Sequence, residues 1–208
     1  MYVKALPLGL VAANCYIICD DKGNGAVIDP GDYTLSLEAE IMKSGIKNLK
    51  YIICTHGHFD HISGVKELKA HHEEALVVIS EVDAPCLSDN YLSEASFFGV
   101  SCDTCYPDLT VKDGDTLELG EIIFKVISVP GHTRGGIFLH CENEKVTFTG
   151  DTLFKGSVGR TDLKGGSYAQ LMSSVRKIKA FSPDTVLYCG HGESTNVEYE
   201  LKYNLYLV

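Results

Sequence analysis

Seven consecutive residues constrain this chain more than its whole composition does: Thr55-His-Gly-His-Phe-Asp-His61. Three imidazoles and a carboxylate sit together, directly after the apolar run Tyr51-Ile-Ile-Cys54. A strand continued through them would throw alternate side chains to opposite faces. A loop can turn all four toward one point, and Gly57 gives the backbone the freedom for that turn. Imidazole with carboxylate is donor chemistry suited to zinc, iron or manganese. The segment predicts a buried strand that ends at a metal centre.

Three later positions repeat the arrangement singly. His132 lies in Pro130-Gly-His-Thr133, Asp151 in Thr149-Gly-Asp-Thr152, and His191 in Cys189-Gly-His-Gly192. Each follows a predicted strand and each has a glycine directly before it. Alone, each reads as an ordinary turn residue; beside the first cluster, together, they read as further donors. The other histidines differ. His71 and His72 close a predicted helix, where exposure and a favourable contact with the helix dipole are the default, and His140 lies inside a strand. None of these three is assigned to metal.

The pattern around these sites alternates short apolar strands with amphipathic helices. Residues 12–19 and 25–28 predict paired strands; 35–42 and 62–72 predict helices; 75–79 predicts a buried strand. Residues 116–119 with 122–129, and 136–141 with 145–149, predict hairpins. Ser167-Tyr-Ala-Gln170 matches a capping box ahead of Leu171, Val175 and Ile178. A strand over 185–189 and a helix over 196–206 follow. Residues 80–110, with Pro85, Gly99 and Pro107, form the least regular stretch, of a length that often serves as a lid. Strands interleaved with helices indicate a layered α/β domain.

Composition narrows the function classes. Hydrophobic residues make up 45% and charged residues 22% of the 208, which excludes disorder over most of the length. The formal charge of −10 argues against nucleic acid as partner, because counterion release needs clustered Lys and Arg. The longest apolar stretch, 6–18, is broken by Pro7, Gly9 and Asn14, too short for a membrane span and with only Lys4 ahead of it as a leader. The eight cysteines lie mostly in apolar runs, where a free thiol packs as a small hydrophobe. A reducing cytoplasm is the expected location. Cys102-Asp-Thr-Cys105 alone has ligand spacing, and it lacks the second pair of a structural zinc site.

The chain resembles the metallo-β-lactamase-fold hydrolases, in particular their glyoxalase II-like branch. The resemblance rests on Asn14-Cys-Tyr16, Val27-Ile-Asp-Pro-Gly-Asp32, the His-x-His-x-Asp-His string, Gly150-Asp-Thr-Leu-Phe154, Gly159-Arg-Thr-Asp162 and Gly190-His-Gly192. It implies a four-layer αβ/βα sandwich with two divalent ions, zinc first and iron or manganese as alternatives, at one edge of the sheets. By this resemblance His56, His58 and His132 hold one ion, Asp60, His61 and His191 hold the other, and Asp151 bridges them. Asp60 would also orient the metal-bound hydroxide. Arg160 and Lys155 are the candidate grips for a substrate. In glyoxalase II itself a Tyr stands two residues after the cation, where this chain has Asp162. Seventeen residues follow His191, enough for one helix, so the expectation is a single domain over residues 1–208 without glyoxalase II's C-terminal helical domain.

The expected activity is hydrolysis of a small anionic acyl thioester such as S-lactoylglutathione. A thiol leaves with a conjugate-acid pKa of about 8–9, so no strong general acid is required. Two other classes are compatible with the same residues. One is a mononuclear iron persulfide dioxygenase, using His56, His132 and Asp151. The other is a metal-binding module without catalysis.

Overall fold

The computed structural model describes residues 1–207. One sheet takes β1 (Tyr2–Leu8), β2 (Ala13–Cys19), β3 (Asn24–Ile28), β4 (Asn48–Ile53), β5 (Leu76–Ser80) and β6 (Leu109–Val111), in that order. The pairs β1/β2 and β2/β3 are antiparallel, and β3 to β6 run parallel. The second sheet contains β7 (Thr116–Leu119), β8 (Ile122–Ser128), β9 (Ile137–Cys141), β10 (Val146–Gly150), β13 (Val186–Cys189) and β14 (Thr195–Asn196). Its order is β14-β13-β10-β9-β8-β7. A small hairpin, β11 (Leu153–Phe154) with β12 (Ser157–Val158), stands apart from both.

The two sheets stack face to face, and side-chain alternation shows why. Tyr16 and Ile18 of β2, Tyr51 and Ile53 of β4, and Val78 of β5 enter one cluster with Phe124, Val126, Leu139 and Phe148 of the second sheet. Their neighbours Cys15, Ile17, Leu49, Ile52, Val77 and Ile79 face the other way. They pack under α1 (Leu35–Lys43) and α3 (Val65–His71). Strands covered on both faces need apolar side chains on both, which is why Cys15–Cys19 in β2 and Tyr51–Ile53 in β4 read as unbroken runs. The outer face of the second sheet is covered by α4 (Tyr168–Val175) and α5 (Val197–Tyr203) through Phe138, Leu171, Val175, Leu187 and Val197. Helix, sheet, sheet, helix is the predicted four-layer arrangement.

Caps fall where the sequence signals them. Thr34 accepts from Leu37 N, Ser167 from Gln170 N and Asn196 from Tyr199 N, each filling a donor left free by the first helical turn. Several elements differ from expectation, among them the short strands β6, β11, β12 and β14, which no sequence pattern predicts. The helix predicted over 62–72 is two pieces, α2 (Phe59–Ile62) and α3, parted at Ser63-Gly64. A Cβ at Gly64 would lie 2.5 Å from the Asp32 carbonyl, so the chain is pressed against the 30–32 turn there. The strand β1, not predicted, forms an antiparallel edge against β2 despite Pro7, a residue that edge strands tolerate. No helix among the described residues is long and apolar enough to cross a membrane.

Candidate metal centre

The second sheet is wired so that its strand ends converge. The strands β8 and β10 run the same way, each antiparallel to β9, and β10 is parallel to β13. The segments after β8, β10 and β13 therefore leave at one edge, carrying His132, Asp151 and His191. The strand β4 of the other sheet reaches the same edge, where Ile137 N donates to Thr55 O at 2.9 Å. Past that tie the chain turns through His56 and His58 into α2, which carries Asp60 and His61. All seven predicted donors meet here.

Distances divide them into sets. His56, His58 and His132 offer ring nitrogens within 4.8 Å of one another, and so do Asp60, His61 and His191 with one carboxylate oxygen. Asp151 lies between: Oδ1 is 3.3 Å from His61 Nε2, and Oδ2 is 3.5 Å from His132 Nε2 and 3.4 Å from His191 Nε2. Room for this packing comes from Gly190, where a Cβ would stand 2.1 Å from Asp151 Oδ1.

Do these residues fit divalent ions? The Nε2 atoms of His56 and His61 and Oδ1 of Asp151 are sealed from solvent without a hydrogen-bond partner. An orphaned buried polar atom costs about 1–3 kcal/mol, and three converging on one spot suit a cation. His58 Nδ1 and His132 Nε2 approach to 2.8 Å, which suits a shared proton or a shared cation. The donor set fits.

Electrostatics favour the ligand forms in part. Burial pushes His56 well below the ordinary imidazole range, and burial with His132 nearby brings His58 down to about 3, so both rings are neutral. Burial opposes charge at Asp60 and Asp151, yet His61 and His191 outweigh it and hold both carboxyls below their usual range. The converse holds at His61, where burial is overcome by Asp60, Asp151 and Asp29, and at His191, raised to about 9 by Asp151 and Asp60 against its own burial. A cation binding at these two rings releases their protons.

Sequence reasoning missed the residues that aim the rings. Asp29, in the Val27-Ile-Asp-Pro motif and with φ at 53°, accepts from Thr55 N at 2.7 Å and Thr55 Oγ1 at 2.7 Å. It also lies 3.0 Å from His61 Nδ1. The Arg160 carbonyl takes His132 Nδ1 at 2.8 Å, and Thr55 Oγ1 sits 3.1 Å from His56 Nδ1. Each contact engages the far nitrogen and leaves Nε2 for the centre, the outer-shell device that fixes ring tautomers. Buried Asp83 gathers the loops: Gly57 N, Thr133 Oγ1 and Gly135 N all donate to it. Asn14 and Tyr16, on β2, hold the His191 segment through Cys189 O and Gly192 O. The motif signals were present in the sequence, but their partners lie 26 to 178 residues away.

A cavity of about 490 Å³ opens over the centre. His58, Asp60, His132, Asp151 and His191 form its polar floor, with Phe59, Phe98, Phe154, Val158 and Leu163 among the walls. Arg160 lines it, but its fork is occupied by Asp162, bidentately at 2.6 and 2.7 Å. Lys155 does not line it: its amine pairs with Glu193 at 2.5 Å and lies over the Tyr199 ring. The irregular stretch 80–110 contributes Glu94 and Phe98 to the cavity, neither foreseen. His71, His72 and His140 lie elsewhere, His72 against Glu38 and His140 against Thr147 and Phe181. The Cys102 thiol meets Ser63 at 3.1 Å and Cys105 stands by the Tyr106 carbonyl, both unbridged.

Comparison with known proteins agrees with this geometry. The chain is 35% identical over 210 residues to hydroxyacylglutathione hydrolase GloC of Haemophilus influenzae, covering 100% of this chain and 98% of that protein. Among solved structures, BLEG-1, a B3 metallo-β-lactamase, superposes with a TM-score of 0.94 at 30% identity, over 100% of both chains. TTHA1623, solved in a di-iron-bound form, gives 0.88 at 30% identity over 99% and 100%. ETHE1 from Myxococcus xanthus gives 0.79 at 25% identity over 99% and 84%. The sequence pattern of the metallo-beta-lactamase superfamily matches residues 8–191. A centre of convergent His and Asp donors on this fold, with that match, places the chain in the metallo-β-lactamase superfamily of metal-dependent hydrolases.

Proposed function

We propose that the protein hydrolyses a small acyl thioester, of the S-lactoylglutathione kind, at a centre of two divalent ions, zinc first. The observation that carries this reading is the second donor set. Asp60, His61 and His191 stand complete beside His56, His58 and His132, with Asp151 between them. Bound there, such ions supply an activated water and Lewis-acid polarisation of an acyl carbonyl. The relative named a hydroxyacylglutathione hydrolase supports the thioester as substrate class.

The chain's own residues do the rest. His56, His58 and His132 would hold one ion and Asp60, His61 and His191 the other, with Asp151 shared. Asp29, Thr55 and the Arg160 carbonyl keep the rings aimed. Asp60 Oδ2, 3.2 Å from His191 Nε2, faces the cavity and can hold a water's proton toward itself, orienting its oxygen at the acyl carbon. The apolar walls exclude bulk water and strengthen every polar contact inside. A thiolate, with a conjugate-acid pKa of about 8–9, leaves without a general acid. Arg160 is the candidate for an anionic arm, which would have to displace Asp162 from its fork; Lys155, turned to Glu193, is the weaker one.

The second reading is a mononuclear iron persulfide dioxygenase using His56, His132 and Asp151 alone; the likeness to TTHA1623, solved in a di-iron-bound form, supports iron as the metal but not a single-ion site. That reading leaves four converging donors, His58, Asp60, His61 and His191, without a task. His58→Ala separates function from fold: metal content should fall by one equivalent or more and thioester hydrolysis should be lost, with the circular dichroism spectrum retained. Full hydrolysis by that variant would sink the two-ion reading.

A further inference from the structure

The cavity wall holds one carboxylate that the metal centre does not use. Glu94 is 3% exposed, and its backbone sits at φ 65°. A non-glycine residue there is held by its surroundings at a cost of about 1 kcal/mol or more, a feature that clusters at ligand clamps. Its surroundings are specific. The Glu94 carbonyl accepts from Phe97 N and Phe98 N, and the preceding carbonyl, of Ser93, accepts from Phe59 N of α2. The loop is thereby tied to the helix that carries Asp60 and His61.

The two carboxylate oxygens differ. Oε1 accepts from Lys164 N at 2.8 Å and lies 3.4 Å from Lys164 Nζ, whose amine is 3.4 Å from the centre of the Tyr91 ring. That oxygen alone braces the 89–100 loop to the 160–166 loop across the rim. Oε2 accepts nothing from any described residue, and it is not among the polar atoms sealed from solvent. Glu94 lines the cavity, as do Phe98 and Leu163. A buried carboxylate oxygen with apolar neighbours is a strong acceptor without a donor. Every nearby cation is spent, Arg160 on Asp162 and Lys164 on Oε1 and Tyr91.

We infer that Glu94 Oε2 accepts a hydrogen bond from an N–H group on the thiol arm of the substrate. The inference rests on the thioester reading. A short acyl group stays at the metal donors, so the arm long enough to reach the 89–100 loop is the thiol's. The centre then selects thioesters whose thiol carries an amide or ammonium N–H, and discriminates against arms that present only acceptors, because those leave Glu94 unpaired.

The test compares two ligands that differ in one group, on zinc-reconstituted protein. S-lactoyl-N-acetylcysteamine has the N–H; its ketone counterpart has CH2 in that place. The wild type should favour the amide in kcat/KM by about tenfold or more, the yield of one hydrogen bond to a charged acceptor. In Glu94→Gln the amide oxygen can keep the Lys164 N bond and turn its NH2 to the cavity, so the ratio should fall to about one. Each ratio is measured on a single preparation and does not depend on the folded fraction. The same pair as non-reacting S-ethyl thioethers, titrated calorimetrically, should show the same tenfold preference in Kd and the same loss in Glu94→Gln. Equal affinities in the wild type, or a preference that survives in Glu94→Gln, would overturn the inference. A binding preference without turnover of either thioester would uphold Glu94 and refute the thioester reading instead.

Discussion

Asp29 does not line the cavity over the centre, yet replacing it by Asn should disable half of that centre. The backbone tolerates the change, since Asn accepts the left-handed conformation that Asp29 adopts at φ 53°. The side chain does not. Oδ1 accepts from Thr55 N at 2.7 Å, so an amide group there would set donor against donor. The Asn must therefore place its oxygen toward Thr55 N and its NH2 toward Thr55 Oγ1 and His61 Nδ1. The hydroxyl can rotate to accept. His61 cannot accept at Nδ1 and also be bare at Nε2, so its proton is pinned on the nitrogen the ion needs. Outer-shell partners of this kind are worth about 10–100-fold in metal affinity, or about 1.4–2.8 kcal/mol. That agrees with the loss of one hydrogen bond to a charged acceptor, about 1.5–3 kcal/mol. Competition against a chromophoric chelator resolves the two equivalents of zinc. One should bind as in the wild type and the other 10–100-fold more weakly, with kcat falling when only the first is filled. Wild-type affinity for both would refute the role given to Asp29.

Two further perturbations test other parts of the structure. Asp162→Asn leaves the Arg160 fork without its charged partner, so KM for a thioester with a carboxylate arm should fall severalfold at low ionic strength with kcat unchanged; an unmoved KM would show that Arg160 is only a brace. His140 is pushed below its ordinary value of 6.5, chiefly by burial, beside Phe181 and Thr147. Its folded pKa is thus the lower one, the unfolded chain binds the extra proton, and stability is lost as pH falls through about 6.5. Urea midpoints at pH 5 and pH 7.5 should differ less in His140→Phe than in the wild type, and an undiminished difference would assign the acid sensitivity elsewhere.

How far the sequence could be read follows from the range of each interaction. The ligands were legible because each sits at the end of an apolar strand, so local patterning alone places it at a sheet edge. Convergence of four separate strand ends was legible only through the resemblance, since nothing local says that β8, β10 and β13 run the same way. Asp29 and Asp83 were invisible as supports: a carboxylate in a turn looks the same whether it caps its neighbours or braces a loop 26 residues on. The break at Gly64 likewise depends on Asp32, which the helical period of 62–72 does not register. Lys155 stands four residues after Asp151 in the chain, but not at the site. The hairpin β11/β12 and the pairing with Glu193 carry it away. Glu94 lay in the stretch with no periodicity to read.

The central claim is that two ions act together on a thioester. Chelator-stripped protein titrated with zinc, with S-lactoylglutathione hydrolysis followed at each step, tests it most directly. Activity should stay low through the first equivalent and rise to its plateau with the second. A plateau at one equivalent, or two bound equivalents with no hydrolysis, would contradict the account.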